Sequence, residues 1–365
     1  MNSIRRFLKE SDLLLLGLTI TLALLGVLVI SSATASYDTA TMRFVFIQLA
    51  ALLLGVIAIY FISLLDYENL ADWWKWLYVI NVVLLLAVLV FGMGENETGT
   101  NRWIRIGKFG FQPSETVKII FIITLAKHLD QIKDDINYIK NAGLLALHAA
   151  VPIVLVMLQP DAGTAISFAC IFLVMIFISG IDWRYLAGGF GALVLTSPIF
   201  YFFVLHDYQR SRILEFFNQG SAPSGSSYQV LQSKIAIGSG QVLGTGLFSG
   251  LQTQLELLPA KHTDFIFGVV GEELGFMGCI VLITLIFGII YRCGLLAHRA
   301  DNGLGRLICI GVAALLAFHS IENILMTVGL MPVTGIPLPF VSYGGTSMVT
   351  SLIAIGLVNS VASRR

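Results

Sequence analysis

Charge is what this chain has least of. Asp, Glu, Lys and Arg make up 12% of its 365 residues, about half the share of a soluble domain, while 56% are hydrophobic. With a mean hydropathy of +0.85, such a chain cannot clothe a water-soluble core and reads as a membrane protein. The few charges cancel to a net of zero, which leaves no global attraction to nucleic acid, and no nucleic-acid partner is expected. Cysteine is scarce too, with four residues. Cys170, Cys279, Cys293 and Cys309 lie in or beside apolar runs and outside the two long polar loops, so no disulfide framework is expected. A basic tail, a Walker phosphate loop and zinc-type Cys/His spacing are all lacking, which excludes the P-loop and zinc-module classes.

What the chain does have is long hydrophobic runs. A span needs about 20 mostly apolar residues. Ten runs are read as spans, near 13–32, 44–64, 76–93, 114–128, 143–158, 164–180, 186–205, 264–291, 307–331 and 346–361. The first follows Arg5, Arg6 and Lys9 as a signal peptide would, but its length and the lack of a small-residue cleavage pattern make it a retained anchor. The fourth is weak: its uninterrupted core, Ile119 to Ala126, is too short to cross alone and is expected to pack inside the bundle. Gln159-Pro160-Asp161-Ala162-Gly163 is read as a tight turn between the fifth and sixth. The expected fold is a single all-α polytopic domain over residues 1–365.

Ten spans put both ends on one side, and that side carries thirteen of the 22 Lys and Arg, so the termini are expected in the cytoplasm. Eight of the other nine fall in two regions, 94–118 and 206–262, both then facing outside. The loop 206–262 is 57 residues long and is read as an ordered cap, with helix-competent segments at 211–217 and 228–237 around a flexible tip at 221–227. Between the last two runs, Gly329 to Thr346 packs three prolines and four glycines, which forbids regular helix. Irregular backbone at membrane depth survives only where protein buries it or a cavity meets it, so a re-entrant loop is expected.

Ionisable groups concentrate at Lys261-His262-Thr263-Asp264, where the eighth run begins. Charge at a span is costly and by default functional. An Asp at a helix N-terminus satisfies free N–H groups and is kept ionised by the dipole, which suits a cap, a base or a metal ligand alike. Lys261 and His262 are not needed for capping and suit an anionic ligand. Glu272 and Glu273, deeper in the run, read as structural. Glu115 and Lys118 share a helix face at i,i+3, either as an ion pair locking the helix start or as a polar cavity wall. Trp103, beside Arg102 and Arg105, is either an interfacial anchor or part of a phosphate- or sugar-binding patch. Asp161 serves as a turn and cap residue, yet is a third acid at the same expected depth. Acids with nearby Lys and Arg, opening outward, suit a diphosphate with a divalent cation. His148 and His319 stand alone in apolar runs and read as packing residues.

Several of these stretches together resemble the SEDS family (shape, elongation, division and sporulation) of bacterial wall synthesis. The motifs are Asn101-Arg102-Trp103-Ile104, Phe111 to Glu115, Gln159-Pro160-Asp161, Tyr208 to Leu214, His262 to Phe267, Gly271 to Gly275, and Pro337-Leu338-Pro339 through Gly345. The wording Gly335-Ile336-Pro337-Leu338-Pro339 is similar to the rod-shape, elongation branch, since division-type members usually have Thr at the place of Pro337. Two departures are small: Ala260 where an acid is common, and Ala162 where Leu is usual. The resemblance implies a glycosyltransferase of the bacterial cytoplasmic membrane, with its site facing outside, that polymerises lipid II with undecaprenyl diphosphate leaving. It implies pairing with a class B penicillin-binding protein transpeptidase and with other elongation-complex membrane proteins. Residue by residue, it puts Asp264 at the family's essential acid, Glu115 and Lys118 at the paired residues of its cavity, and Asp161 and Arg212 at other polar positions of the outer face. Asp264 is then base or metal ligand, with Lys118, Lys261 or Arg212 near the diphosphate and Mg2+ or Mn2+ as the suspected cation. A lipid flippase and a non-catalytic scaffold are the rival readings.

Overall fold

The computed structural model describes residues 7, 9–37, 39–93, 102–106, 109–217 and 225–364. Arg5, Arg6, Asn101, Lys108 and the loop tip from Ser221 to Ser224 lie outside the described residues. All ten apolar runs are helical. Among the described residues, eight helices are long and apolar enough to cross a membrane: Leu13–Ala33, Thr41–Leu64, Trp74–Phe91, Ile139–Met157, Trp183–Phe203, Gly275–His298, Gly303–Thr327 and Gly345–Ala362. The helix Ala162–Ile178 is apolar but shorter, at 17 residues. Pro113–Gln131 holds the weak fourth run, and thirteen of its 19 residues are buried, as expected of a helix packed among others. This is a multi-pass membrane protein.

The chain forms two compact units. One comprises Met1–Leu64, Arg212–Leu296 and Leu316–Arg365. In it the helices Thr39–Leu64 and Gly345–Ala362 pack closely, which small residues permit: a Cβ on Gly55 would lie 2.1 Å from the Leu352 side chain. The start of Leu13–Ala33 is anchored by Asp12, which caps Leu15 N–H at 2.9 Å and receives the Arg292 guanidinium at 2.7–3.1 Å.

The long loop is ordered where the sequence predicts helix, in Asp207–Phe217 and Gly225–Ser239. The second of these lies against the short helix Ile266–Glu273, and glycine makes the approach possible: a Cβ on Gly240 would sit 1.9 Å from the Gly271 carbonyl oxygen. A Cβ on Gly244, at φ +81, would sit 2.2 Å from the Glu273 carbonyl oxygen. Glu272 and Glu273 are structural, as expected. Glu272 accepts from Gln252 N–H (2.7 Å), Thr253 N–H (3.0 Å) and the Thr253 hydroxyl (2.6 Å). Glu273 accepts from Ser32 at 2.5 Å and from Gln254 at 3.2 Å.

The eighth run differs from the expectation of one helix from 264. It is broken at Leu274, with Ile266–Glu273 before and Gly275–His298 after. Gly275 takes φ +66, and the N–H groups of Phe276 and Met277 bond to the Gln241 and Val242 carbonyls of the loop (2.9 and 3.1 Å). The loop thus occupies donors that a continuous helix would have kept to itself.

From Pro332 to Pro339 the chain is irregular, as its prolines and glycines require, and half of these residues are buried, with none exposed. Its polar backbone is satisfied by side chains: Asn323 donates to the Ile336 carbonyl (2.8 Å) and the Ser342 hydroxyl accepts Leu338 N–H (2.8 Å). Gln48 grips both the Ser342 carbonyl (3.1 Å) and Gly344 N–H (3.2 Å).

The other unit comprises Leu65–Ser211 and Ala297–Leu315. Pro113–Gln131 lies at its heart, with Asn81 bonded to its Val117 carbonyl (3.4 Å) and Phe121 edge-on to Phe168. It also holds a departure from all-α: a small antiparallel hairpin, Ile104–Ile106 with Phe109–Phe111, in the register Ile104↔Phe111. His148 is buried, as expected of a packing residue. Its ring nitrogens meet Thr124 and His128, each at 3.2 Å, and its ring packs against Tyr78.

Candidate functional site

Asp264, Lys261, His262 and Arg212 belong to the first unit, and Glu115, Lys118, Asp161 and Trp103 to the second.

Asp264 sits in a run of tight turns. Ala260 takes φ +50, and Phe265 N–H returns to its carbonyl at 3.2 Å. The following helix begins at Ile266, its capping position is Phe265, and no side-chain capping bond is made there. Asp264 therefore stands one residue before the capping position. Three consecutive carbonyls of the turn are held from outside it. Tyr343 N–H donates to the His262 carbonyl (2.9 Å), the Ser342 hydroxyl to that of Thr263 (2.7 Å), and the Asn323 amide to that of Asp264 (2.9 Å). The part-buried carboxylate thus rises from a fixed backbone.

Lys261 points inward. It is 1% exposed, and its ammonium donates to the Ser36 hydroxyl (2.7 Å) and the Thr253 carbonyl (2.5 Å), 4.8 Å from the Tyr37 ring centre. Burial pushes its pKa down. The ammonium staples the turn to its surroundings, whereas the sequence suggested a group open to an anionic ligand. The ring of His262 is boxed by Phe44 (5.0 Å between ring centres), Tyr343 (5.6 Å) and Tyr37 (5.8 Å). Burial, with the neighbouring Lys261 charge second, drives its pKa down to about 4, so at neutral pH the ring carries no charge for an anion. Arg212 donates to the Val333 carbonyl at 2.5 Å and lines a shallow surface recess with Glu215, Phe216, Ser226 and Met331.

In the second unit the Glu115 carboxylate and Lys118 ammonium are 2.7 Å apart, and the residues are only 7% and 1% exposed. Asp161 is the cap of Ala162–Ile178, accepting from Thr164 N–H (3.2 Å) and the Thr164 hydroxyl (2.9 Å). Its other partner is Arg102, at 3.6 Å. Trp103 exchanges backbone hydrogen bonds with Met93 (2.8 and 3.2 Å), and its ring lies over Gly110. Arg102 and Trp103 are the last residues before the hairpin, so one end of the hairpin is fastened to the cap of the sixth span.

Sequence reasoning passed over Glu322 and Asn323, both buried in the helix Gly303–Thr327. Glu322 accepts from the Thr334 hydroxyl, and Asn323 reaches Asp264. The available signal was four polar residues among the five of His319-Ser320-Ile321-Glu322-Asn323, inside an apolar run. Among the described residues, no group of three or more His, Cys, Asp or Glu side chains stands close enough to hold a metal ion.

Comparison with known proteins gives these residues a family. The model of the FtsW/RodA/SpoVE cell cycle proteins matches residues 12–365. The peptidoglycan glycosyltransferase MrdB of Escherichia coli K12 is 39% identical over 295 residues, covering 80% of this chain and 78% of that protein. A probable peptidoglycan glycosyltransferase FtsW of Trichlorobacter lovleyi is 35% identical over 363 residues, covering 98% and 94%. A chain solved in a study of polymerization and crosslinking by a peptidoglycan synthase complex superposes with a TM-score of 0.81 at 30% identity, covering 96% and 97%. The rod shape determining protein RodA of Thermus thermophilus gives a TM-score of 0.72 at 29% identity, covering 96% of each chain. The chain belongs to the FtsW/RodA/SpoVE family of cell cycle proteins, the SEDS family that its motifs resemble.

Proposed function

We propose that this protein is a peptidoglycan glycosyltransferase that polymerises lipid II during cell elongation, with Asp264 as the reacting carboxylate. The observation that carries the assignment of Asp264 is its mounting: an acid outside the capping position, on a turn whose three carbonyls are each held by an external donor. The family and the relatives named as glycosyltransferases support the reaction.

The chemistry asks for such a group. The 4-hydroxyl of a GlcNAc unit attacks C1 of the MurNAc carried on diphosphate. A β-1,4 C–O bond forms with inversion, the bond from C1 to the diphosphate oxygen breaks, and undecaprenyl diphosphate leaves with the electron pair. The hydroxyl proton passes to the base, a role that contributes about 10²–10⁴-fold. Asp264 takes that proton or orders a divalent cation. Mg2+ characteristically uses one or two carboxylates plus substrate phosphates, so Asp264 with the diphosphate oxygens suits it without a cluster of three protein ligands. Such a cation would supply charge to the departing diphosphate. Arg212, beside a surface recess, is the cation we place near that charge, since Lys261 is enclosed and His262 neutral. In the other unit, Glu115, Lys118, Asp161 and Trp103 are the residues assigned to substrate binding on the resemblance to the family.

The elongation role is supported by the wording Gly335-Ile336-Pro337-Leu338-Pro339 and by likeness to a rod shape determining protein. A class B penicillin-binding protein as partner is supported by likeness to a chain of a peptidoglycan synthase complex. Cytoplasmic termini and an outward-facing site are supported by the Lys and Arg distribution, and the cytoplasmic membrane by the family resemblance. The test is product formation by purified protein with its partner and lipid II in detergent, where there is no membrane to cross. Glycan strands are expected; a protein that moved lipid II across vesicles but made no strands would be a flippase. Depletion in a rod-shaped cell is expected to give rounding, whereas filaments would assign the chain to division.

A further inference from the structure

Asn323 is fully buried, and both N–H bonds of its amide are used on backbone carbonyls that are far apart in the chain: Asp264 at 2.9 Å and Ile336 at 2.8 Å. The orientation of the amide follows from its surroundings, because the flipped form would press its oxygen against two carbonyl oxygens. One residue back, Glu322 accepts from Thr334 of the same irregular segment. This part of Gly303–Thr327 therefore grips the segment at 334 and 336 and, through Asn323, the backbone of the acid itself. The segment in turn supplies the Ser342 and Tyr343 donors for the two preceding carbonyls, and Gln48 fixes it at Ser342 and Gly344. Asn323 thus joins segment and acid directly.

We propose that Asn323 is a positioning residue for Asp264, setting the direction of its carboxylate by locking the peptide on its C-terminal side to the irregular segment. This rests on the reading of Asp264 as the reacting acid. A packing role alone would have been met by an apolar side chain of the same size. The amide instead spends both donors at this turn, where a shift of about 1 Å at a reacting group costs on the order of 10²-fold in rate.

The experiment compares wild type, Asn323→Asp, Asn323→Gln and Asp264→Asn, each purified with its transpeptidase partner. Initial rates of lipid II polymerisation are measured across lipid II concentration and across pH. Asn323→Asp keeps the shape but turns an acceptor toward two carbonyls. It is expected to lower kcat by about 10²-fold with KM for lipid II within a factor of about three, and to move the acid limb of the pH–rate profile. Asn323→Gln keeps the donors one methylene out of place and should fall between that variant and wild type. Wild-type kcat and an unmoved acid limb in both Asn323 variants, with Asp264→Asn inactive, would overturn the positioning role and leave the reading of Asp264 intact. An active Asp264→Asn would instead overturn that reading. Should Asn323→Asp fail to fold, Asn323→Gln decides, together with Ser342→Ala, which deletes the donor to the neighbouring Thr263 carbonyl and the acceptor of Leu338 N–H. Unchanged kcat in these two overturns the proposal.

Discussion

The Glu115–Lys118 pair gives a prediction that separates holding the fold from serving the substrate. Both residues are buried and their charged atoms are 2.7 Å apart, one turn into a helix that is itself mostly buried. Replacing Lys118 by Met keeps the volume of the stem but leaves the buried Glu115 carboxylate without that ammonium. Breaking a buried pair in this way costs about 3–5 kcal/mol, whereas replacing both partners by apolar or neutral groups of similar shape is often close to neutral. Lys118→Met should therefore lower the unfolding temperature clearly, and the double variant Glu115→Gln/Lys118→Met should recover most of the loss. Activity should behave differently. If the pair serves the sugar-diphosphate, polymerisation stays low in the double variant even though its stability returns. Thermal unfolding in detergent and a lipid II polymerisation assay on the same preparations read the two quantities. A double variant as unstable as Lys118→Met would refute the pairing energetics, and one that regained both stability and activity would make the pair purely structural.

Three further outcomes follow from the geometry. His262 holds its pKa near 4, against an unperturbed value of about 6.5, so between those pH values the unfolded chain takes up a proton that the folded ring refuses. Its contribution to stability is whole above about pH 6.5 and is lost as pH falls; at pH 5 about 2 kcal/mol should be gone, and His262→Phe should flatten that part of the pH–stability curve. Gly240→Ala would place a Cβ 1.9 Å from the Gly271 carbonyl oxygen and should cost about 3 kcal/mol or more, with the loop 225–250 becoming sensitive to protease, whereas Gly238→Ala, at an open position, should be tolerated. Lys261→Met should destabilise the protein without changing KM for lipid II, because its ammonium is spent on Ser36 and Thr253; a raised KM at wild-type stability would return it to the substrate site.

The helices are legible because a membrane protein writes its spans as long apolar runs, and even the weak run at 114–128 reads as an internal helix, as its burial bears out. The break at Leu274 was not. Nothing in a continuous apolar pattern shows that Phe276 and Met277 N–H are taken by Gln241 and Val242, bonds that come from a distant loop. The irregular stretch was legible from proline and glycine alone, since they remove donors and helical backbone wherever they stand. Side-chain direction was hidden. Lys261 and His262 look like a cationic pair in one dimension, yet one ammonium points into a carbonyl and the other ring is discharged by its aromatic box. Asp161 was read both as a cap and as a candidate, and its capping bonds are present. Asn323 needed three dimensions, because its meaning lies in reaching two carbonyls, one of them 59 residues away.

The most direct measurement is polymerisation of lipid II by the Asp264→Asn protein beside wild type, each with its transpeptidase partner in detergent and across a titration of Mg2+ or Mn2+. The substitution keeps size and shape and removes only the negative charge. Folding and partner binding should be unchanged, and glycan strand synthesis should fall by about 10²-fold or more at every cation concentration. A folded, partnered Asp264→Asn protein that polymerises lipid II at the wild-type rate would contradict the assignment of the reacting carboxylate.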